Sequence, residues 1–468
     1  MERSTAMAPT KSERAHRPPS GKRAAAPPVE HVIGLQRQIG NRATADLMRR
    51  RGAPIIVQRF DTGEHAQMGS DKPIVIRGVS FTRKQLTAMG DFYKDFDEMN
   101  NADPAELRRL KADIETQTKF YKHEPGGRDV PEGKGGWDDD TGGRYLKQAK
   151  SNDTHFGPGP RSAGRDHKTV WENNHIRALA TVRATVANAA NSSVPIPEQA
   201  QAINAYGNHF LTDAFSAGHL ISKEDVMAEA KANFDSLDNT EAWWQVYFHR
   251  NDFTDRVAAM VMSDPKAASA FSGYQLKLIM ARDVTAHRLS ELLYQFAGRE
   301  SELFYSNIVK SIHDNLNHAI AHPGTTTPVQ VENDRGMNWS LPGDTTLEQS
   351  PRTLEIINLA IAQAETNLDE AAAAPVSATG PLGFDDFSLR VPALLDAVWS
   401  YTPHPTAATQ KKIDTVRTAS TDTSTVVAAQ HFAAVILDHL EDVIAGLHAK
   451  GVLVPKPRPN IPTMVKLM

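Results

Sequence analysis

The chain contains no cysteine. Disulfides and thiolate metal sites are thereby excluded, and histidine, aspartate and glutamate are left as the strong metal ligands. The compartment stays open, because a chain without thiols survives in either redox state. No apolar run approaches the roughly 20 residues that a membrane-spanning helix needs. Residues 1–30 hold no apolar signal-peptide core, so export by the general secretory route is not expected. There is no internal repeat, no glycine-rich phosphate loop and no locally supported Ser-His-Asp arrangement.

Apolar residues make up 40% of 468 positions, enough for one large helical domain with appendages, or for two domains. Charge is unevenly spread. Residues 1–52 carry 11 Lys/Arg against 4 Asp/Glu, and the remainder 41 against 52. A basic arm on an acidic body points to a separate partner for the arm. The acidic body argues against a stable complex with a long polyanion such as duplex DNA.

The most informative stretch is 197–224, PEQAQAINAYGNHFLTDAFSAGHLISKE. Pro197 suits a first helical turn, where its missing N–H costs nothing. Ala202, Ala205, Tyr206, Phe210, Leu211, Ala214 and Phe215 recur at helical spacing. His209 and Asp213 lie four apart, hence on one face of that buried helix. His219 follows Gly218, where the helix can bend or end and turn the imidazole back. An imidazole and a carboxylate one turn apart are pre-aligned ligands. Asp213 could bridge two ions, with His209 on one and His219 on the other. Two ions roughly 3.5–4 Å apart clamp a phosphoryl group. The bare spacing is equally met by a core His–Asp hydrogen bond plus a loop histidine.

The residues between these ligands, H-F-L-T-D-A-F-S-A-G-H, resemble the central motif H-x-L-x-D-x(5)-H of the zinc-dependent phospholipase C and single-strand nuclease superfamily. The match covers His209, Leu211, Asp213 and His219, and other parts of the pattern lie on both sides. The segment NDTHF at 152–156 resembles the N-x-x-H-F context in which that superfamily presents a zinc ligand, here His155. The resemblance makes His65, in the polar stretch 60–69, a candidate for a further zinc. Such enzymes complete that site with a free N-terminal residue. Here residues 1–59 precede it, so this ligand is missing unless the arm is cut off. The last ligands of the superfamily are a His followed four residues later by an acid. His313 fits, but the fourth residue is Asn317, and an amide is a poorer ligand. Either Asp314 substitutes, or that metal is held more weakly.

The resemblance therefore implies a metal-dependent phosphodiesterase, most like a zinc-dependent phospholipase C, with two zinc ions and a third in question. Candidate ligands are His65, Asp91, His155, His209, Asp213, His219 and His313, with Asp91 and Asp213 as catalytic carboxylates. His175, Asp314 and Asn317 are candidates for the surrounding shell. Asp91, beside Gly90, is either a cap or surface residue or an inward ligand. His175 is a ligand, a supporting partner or a packed core histidine. A nuclease on the same scaffold is the first alternative, since a metal set does not name the leaving group. The second is a non-catalytic cargo or structural protein.

The expected fold is mainly α, a multi-helix bundle around the helix of His209, with long loops and a small hairpin at 71–80. Helices are expected over 82–99, 104–122, 171–189, 351–374 and 386–401, with a second hairpin in 325–350 and closing helices in 410–450. Asp138, Asp139 and Asp140 stand in a Gly- and Asp-rich loop, 124–143, and read as solvated. Residues 1–28 have the composition of a disordered basic arm. Residues 29–59 carry an amphipathic helix, with Val32, Leu35, Ile39, Ala43 and Leu47 on one face. The wording LQRQIGNRATADLMRRR followed by VQR resembles the N-terminal segment of cargo proteins of extracellular contractile injection systems. That resemblance implies loading into an injection particle through 29–59 and delivery outside the producing cell or into a target cell. The helical body would span 60–455, and 456–468 would be a loose tail. A chain starting near Phe60 is expected to keep its fold and its metal stoichiometry but to be missing from isolated particles. Loss of bound metal on truncation, by elemental analysis, would show instead that the arm completes the site.

Overall fold

A computed structural model describes residues 61–131, 135–145, 152–189, 194–235, 261–270, 329–341, 346–375 and 386–421, with isolated positions at 148, 259, 343 and within 305–317. The arm, the 29–59 segment and the tail lie outside the described residues, as do most of 225–328 and 422–468 beyond the parts just named. The fold is mainly α, with only small antiparallel sheets.

Asp61 opens α1 (Thr62–His65) with a capping box: its carboxylate accepts from Gly63, and Glu64 reaches back to the Asp61 N–H. Strands β1 (Pro73–Ile76) and β2 (Val79–Thr82) form the expected hairpin. Its two-residue turn uses Arg77 and Gly78, both at positive φ, the geometry that matches strand twist. Thr82 then caps α2 (Arg83–Ala88). The single helix expected over 82–99 is not formed. The chain tightens into a 3-10 turn at Met89–Asp91, and a new helix, α3 (Phe96–Asn100), starts under the Asp95 cap. Gly90 is a weak helix former and Asp95 a strong starter, and this punctuation competes with the apolar stripe that favours one continuous helix. The break turns Asp91 inward.

Next come α4 (Pro104–Tyr121), started by Asp103 with Pro104 in its first turn, and the short α5 (Trp137–Asp140). Helices α6 (His167–Asn188) and α7 (Glu198–Asp213) form the most extensive pair. The chain continues through α8 (Lys223–Asp235) and α9 (Pro265–Ala270) to β3 (Val329–Glu332) and β4 (Asn338–Leu341), the second expected hairpin. Then follow α10 (Pro351–Ala373), α11 (Val391–Trp399), β5 (His404–Pro405) and α12 (Ala407–Thr421). β5 pairs with β3, giving the order β4-β3-β5. Arg183 of α6 donates to the carbonyls of Ala371, Ala374 and Pro375, closing the C-terminal end of α10. No helix among the described residues is long and apolar enough to cross a membrane.

Helix α7 is buried on every side from Ala202 to Asp213 and packs against α6, α2, α3, α10, β1 and the 89–91 turn. A helix apolar all round would suit that place. This one carries Asn204, Asn208, His209, Thr212 and Asp213 there, so those polar groups need partners. Its neighbours are laced to it as well: Thr87 donates to the Ala205 carbonyl (3.1 Å), and the Tyr206 hydroxyl to the Tyr93 carbonyl (2.7 Å). At Gly207 the two central helices meet so closely that a Cβ would stand 2.6 Å from Asn174 Cβ. In an open helix Gly→Ala stabilises by about 1 kcal/mol. Here the sign should reverse, with Gly207→Ala losing about 1–3 kcal/mol through overpacking. A denaturant melt measures this, and a gain in stability would mean that α6 yields freely.

Candidate metal centre

Six parts of the chain bring their side chains together at the C-terminal end of α7. His209 and Asp213 come from α7 itself. The helix stops at Asp213, and Ser216 in extended backbone redirects the chain into a 3-10 turn, Ala217–Leu220, that carries His219. His65 closes α1, Asp91 ends the 89–91 turn, and His155 ends another 3-10 turn, Asp153–His155. His313 joins from a helical position. His65, His209, Asp213, His219 and His313 are all 0% exposed, with Asp91 at 3% and His155 at 4%.

Two glycines make room for two of the rings. A Cβ at Gly90 would lie 2.3 Å from His209 Cγ, and one at Gly218 would lie 2.3 Å from His313 Cδ2. Only a residue without a side chain lets these backbones approach so near.

Asp213 is the centre of the arrangement. Its Oδ2 lies 2.7 Å from His155 Nδ1 and 3.4 Å from His209 Nε2. Its Oδ1 lies 3.5 Å from both His65 Nε2 and His219 Nδ1. Each carboxylate oxygen thus faces two imidazoles. The tautomer of His65 follows from its partner. Thr212 Oγ1 donates to the His209 carbonyl at 2.7 Å, so its 2.8 Å contact with His65 Nδ1 makes that nitrogen the donor. In the neutral ring Nε2 then carries the lone pair and faces Asp213, the form in which imidazole binds a metal.

The donor set fits a metal ion. His155 Nδ1, His209 Nε2 and Asp213 Oδ2 form a triangle with sides of 2.7, 3.1 and 3.4 Å. A tetrahedral ion with bonds of about 2.0–2.1 Å spaces its ligand atoms by about 3.3 Å. A second group, His65, Asp91 and His209, keeps its donor atoms within 4.8 Å of one another. His209 Nε2 stands 3.9 Å from Asp91 Oδ1, so this nitrogen faces both groups. One lone pair binds one ion, so the two groups compete for it. A carboxylate withdrawn from water needs a compensating positive charge close by, which a bound dication would supply. The buried His/Asp groups can hold a metal ion.

The remaining expected residues divide. His219 Nδ1 lies 3.2 Å from the Asp213 carbonyl as well as near Oδ1, and its ring centroid is 5.3 Å from that of His313. Asn317, at the position where the superfamily pattern has an acid, bonds elsewhere: its Oδ1 accepts from Gly218 N–H at 2.8 Å, and its Nδ2 lies 3.3 Å from His313 Nδ1. It ties the His219 turn to His313. Asp314 lies outside the described residues. His175 is engaged outside the cluster: Nδ1 lies 2.6 Å from Asn204 Oδ1, Nε2 lies 3.1 Å from Asn367 Nδ2, and the ring stacks on Trp171. Asp139 accepts from Gly135 N–H within the loop, and Asp140 pairs with Arg109 of α4, so both are engaged away from the cluster.

Several contributors were not singled out from the sequence. Thr62 donates to Asp91 Oδ2 at 2.7 Å, and Thr212 orients His65. Thr212 sits inside the central motif, one residue before Asp213, which is the only local hint. Glu64 accepts from Leu347 N–H at 2.9 Å and anchors the turn that ends in His65. No family model, no curated protein and no solved structure matches the chain.

Burial pushes the His175 imidazole down to about 4, only partly offset by its bond to Asn204. An unfolded histidine protonates near 6.5. The stability from keeping this ring neutral is therefore fully present above about pH 6.5 and is lost as pH falls toward 4. The loss reaches roughly 3 kcal/mol. Denaturant melts of the parent and His175→Gln across pH 7 to 4 should show the gap between them narrowing. A constant gap would mean that the ring takes up its proton over the same pH range folded and unfolded.

Proposed function

We propose that the cluster holds zinc and that the chain hydrolyses phosphodiesters in the manner of a zinc-dependent phospholipase C. The supporting observation is the carboxylate of Asp213, whose two oxygens each face two imidazoles. That is the arrangement of a bridging ligand. His155, His209 and Asp213 would hold one ion, and His65 and Asp91, with His219 beside Asp213, are the residues that would hold a second. Divalent ions so placed acidify water and neutralise phosphoryl oxygens.

The chain's own groups then have distinct tasks. Asp213 sets the spacing and offsets cationic charge. Thr212 keeps the His65 lone pair directed inward. Asp91 and His155 are the members with residual solvent contact, and both neighbour His209 Nε2, at 3.9 and 3.1 Å. Substrate would approach at that end, where Asp91 is the carboxylate available to take a proton from attacking water. The acidic body favours a small or lipid phosphodiester over a long nucleic acid. Delivery by a contractile injection particle belongs to the same reading through residues 29–59, which lie outside the described residues.

One observation favours a second reading. Five cluster members have no solvent exposure, which equally suits a structural metal, or a metal-free His–Asp core, in a non-catalytic cargo protein. Elemental analysis of the purified chain, with assays on phospholipids, simple phosphodiesters and single-stranded DNA, separates these readings and the nuclease alternative. Asp213→Asn is the sharper test, since it keeps size and helical position but removes the charge. A bridging carboxylate so changed loses at least one metal equivalent and nearly all hydrolysis while the chain stays folded. A carboxylate that only hydrogen-bonds in the core loses about 1–3 kcal/mol of stability and leaves metal content unchanged. That second outcome would end the two-metal proposal.

A further inference from the structure

Lys223 is the first residue of α8, is 0% exposed and belongs to none of the ligand groups. Its position is unfavourable twice over. An ammonium removed from water loses its hydration, and the first turn of a helix presents N–H dipoles that repel a cation. Helix α8 does not need it there, because Ser222 Oγ already accepts from Asp225 N–H. What the ammonium touches is the turn that carries His155. Lys223 Nζ lies 2.7 Å from Asp153 Oδ1 and donates to Asn152 Oδ1 at 3.1 Å. Asp153 Oδ2 is held from its other side by Arg165 (3.3 Å), which also reaches Glu224 (3.1 Å).

The backbone repeats the connection. Gly157 N–H donates to the Ile221 carbonyl at 2.9 Å, and His167 N–H to the Phe156 carbonyl at 3.0 Å. Residues 152–157 are therefore stitched to residues 221–223, which directly follow the His219 turn. The turns bearing His155 and His219 come from distant parts of the chain. Among the described contacts, two charged links join these segments: an exposed one from Asp153 through Arg165 to Glu224, and a buried one through Lys223.

We infer that Lys223 is a positioning residue of the metal centre, its buried ammonium clamping the 152–155 turn so that His155 Nδ1 meets Asp213. This rests on the metal reading above but can fail separately from it. The test uses Lys223→Met, the double variant Lys223→Met/Asp153→Asn and the parent chain, with cobalt(II) as the probe ion and the imidazole NMR signals of the metal-free chains as an independent readout. Partners that orient metal ligands typically contribute 10–100-fold to metal affinity. Lys223→Met should weaken cobalt binding by that factor, alter the cobalt absorption spectrum and shift the His155 signals while leaving those of His175 in place. The double variant removes both charges of the Lys223–Asp153 pair. It should regain stability yet keep the weakened affinity and the shifted His155 signals, so it decides if the single variant fails to fold. Parent-like cobalt affinity and unchanged His155 signals in a folded variant would overturn the inference and leave Lys223 as a core ion pair. If the parent chain binds no cobalt, the metal reading falls, and the His155 signals alone decide the positioning.

Discussion

A carboxylate withdrawn from water has to recover its lost hydration from fixed neighbours, and at Asp213 that requirement organises the molecule. Its oxygens recover contacts from four imidazoles, supplied by α1, the 153–155 turn, α7 itself and the 217–220 turn. Each ring must in turn be supported, by Thr212 for His65 and by Asn152, Asp153 and Lys223 beneath His155. A polar network in a low-dielectric interior is strong when complete and costly when incomplete. The elements around α7 are consequently placed by polar contacts as much as by apolar packing.

The tolerance for this network comes from the small residues. Gly207 lets α6 lie against α7, Gly90 admits the ring of His209, and Gly218 admits that of His313. Interiors are packed close to crystal density, so a ring this size needs a matching absence of side chain opposite it. The aromatic neighbours complete the enclosure: Phe210 lies edge-on to His209, and Phe156 contacts both His219 and His313. A dry wall strengthens every electrostatic contact inside it. Asp91 and His155 are the cluster members that keep some contact with solvent.

Asn317 shows how a departure from a resembled pattern acquires its own logic. An acid there could accept the Gly218 N–H, but only an amide can also offer an N–H toward the ring of His313. The position links two parts of the cluster that are a long way apart in the chain. Its chemistry fits a tie better than a ligand.

Much of this was legible in the chain itself. The mainly α class, both hairpins and the buried helix with His209 and Asp213 on one face follow from local periodicity and turn residues, which need only near neighbours to express themselves. The same holds for the cap at Thr82. The break at 89–95 was not legible, because two competing local signals, a helical apolar stripe and the Gly90–Asp95 punctuation, differ by little until the ring of His209 occupies the space beside Gly90. Nor could spacing show that His175 bonds to Asn204 and Asn367, that Thr212 orients His65, or that Lys223 reaches back to Asp153. Those pairings join residues 29 to 192 positions apart in the chain. The residue types able to bind a metal were present in the sequence. Which of them share one buried carboxylate was decided only when the folded chain excluded water and left the buried polar groups one another as partners.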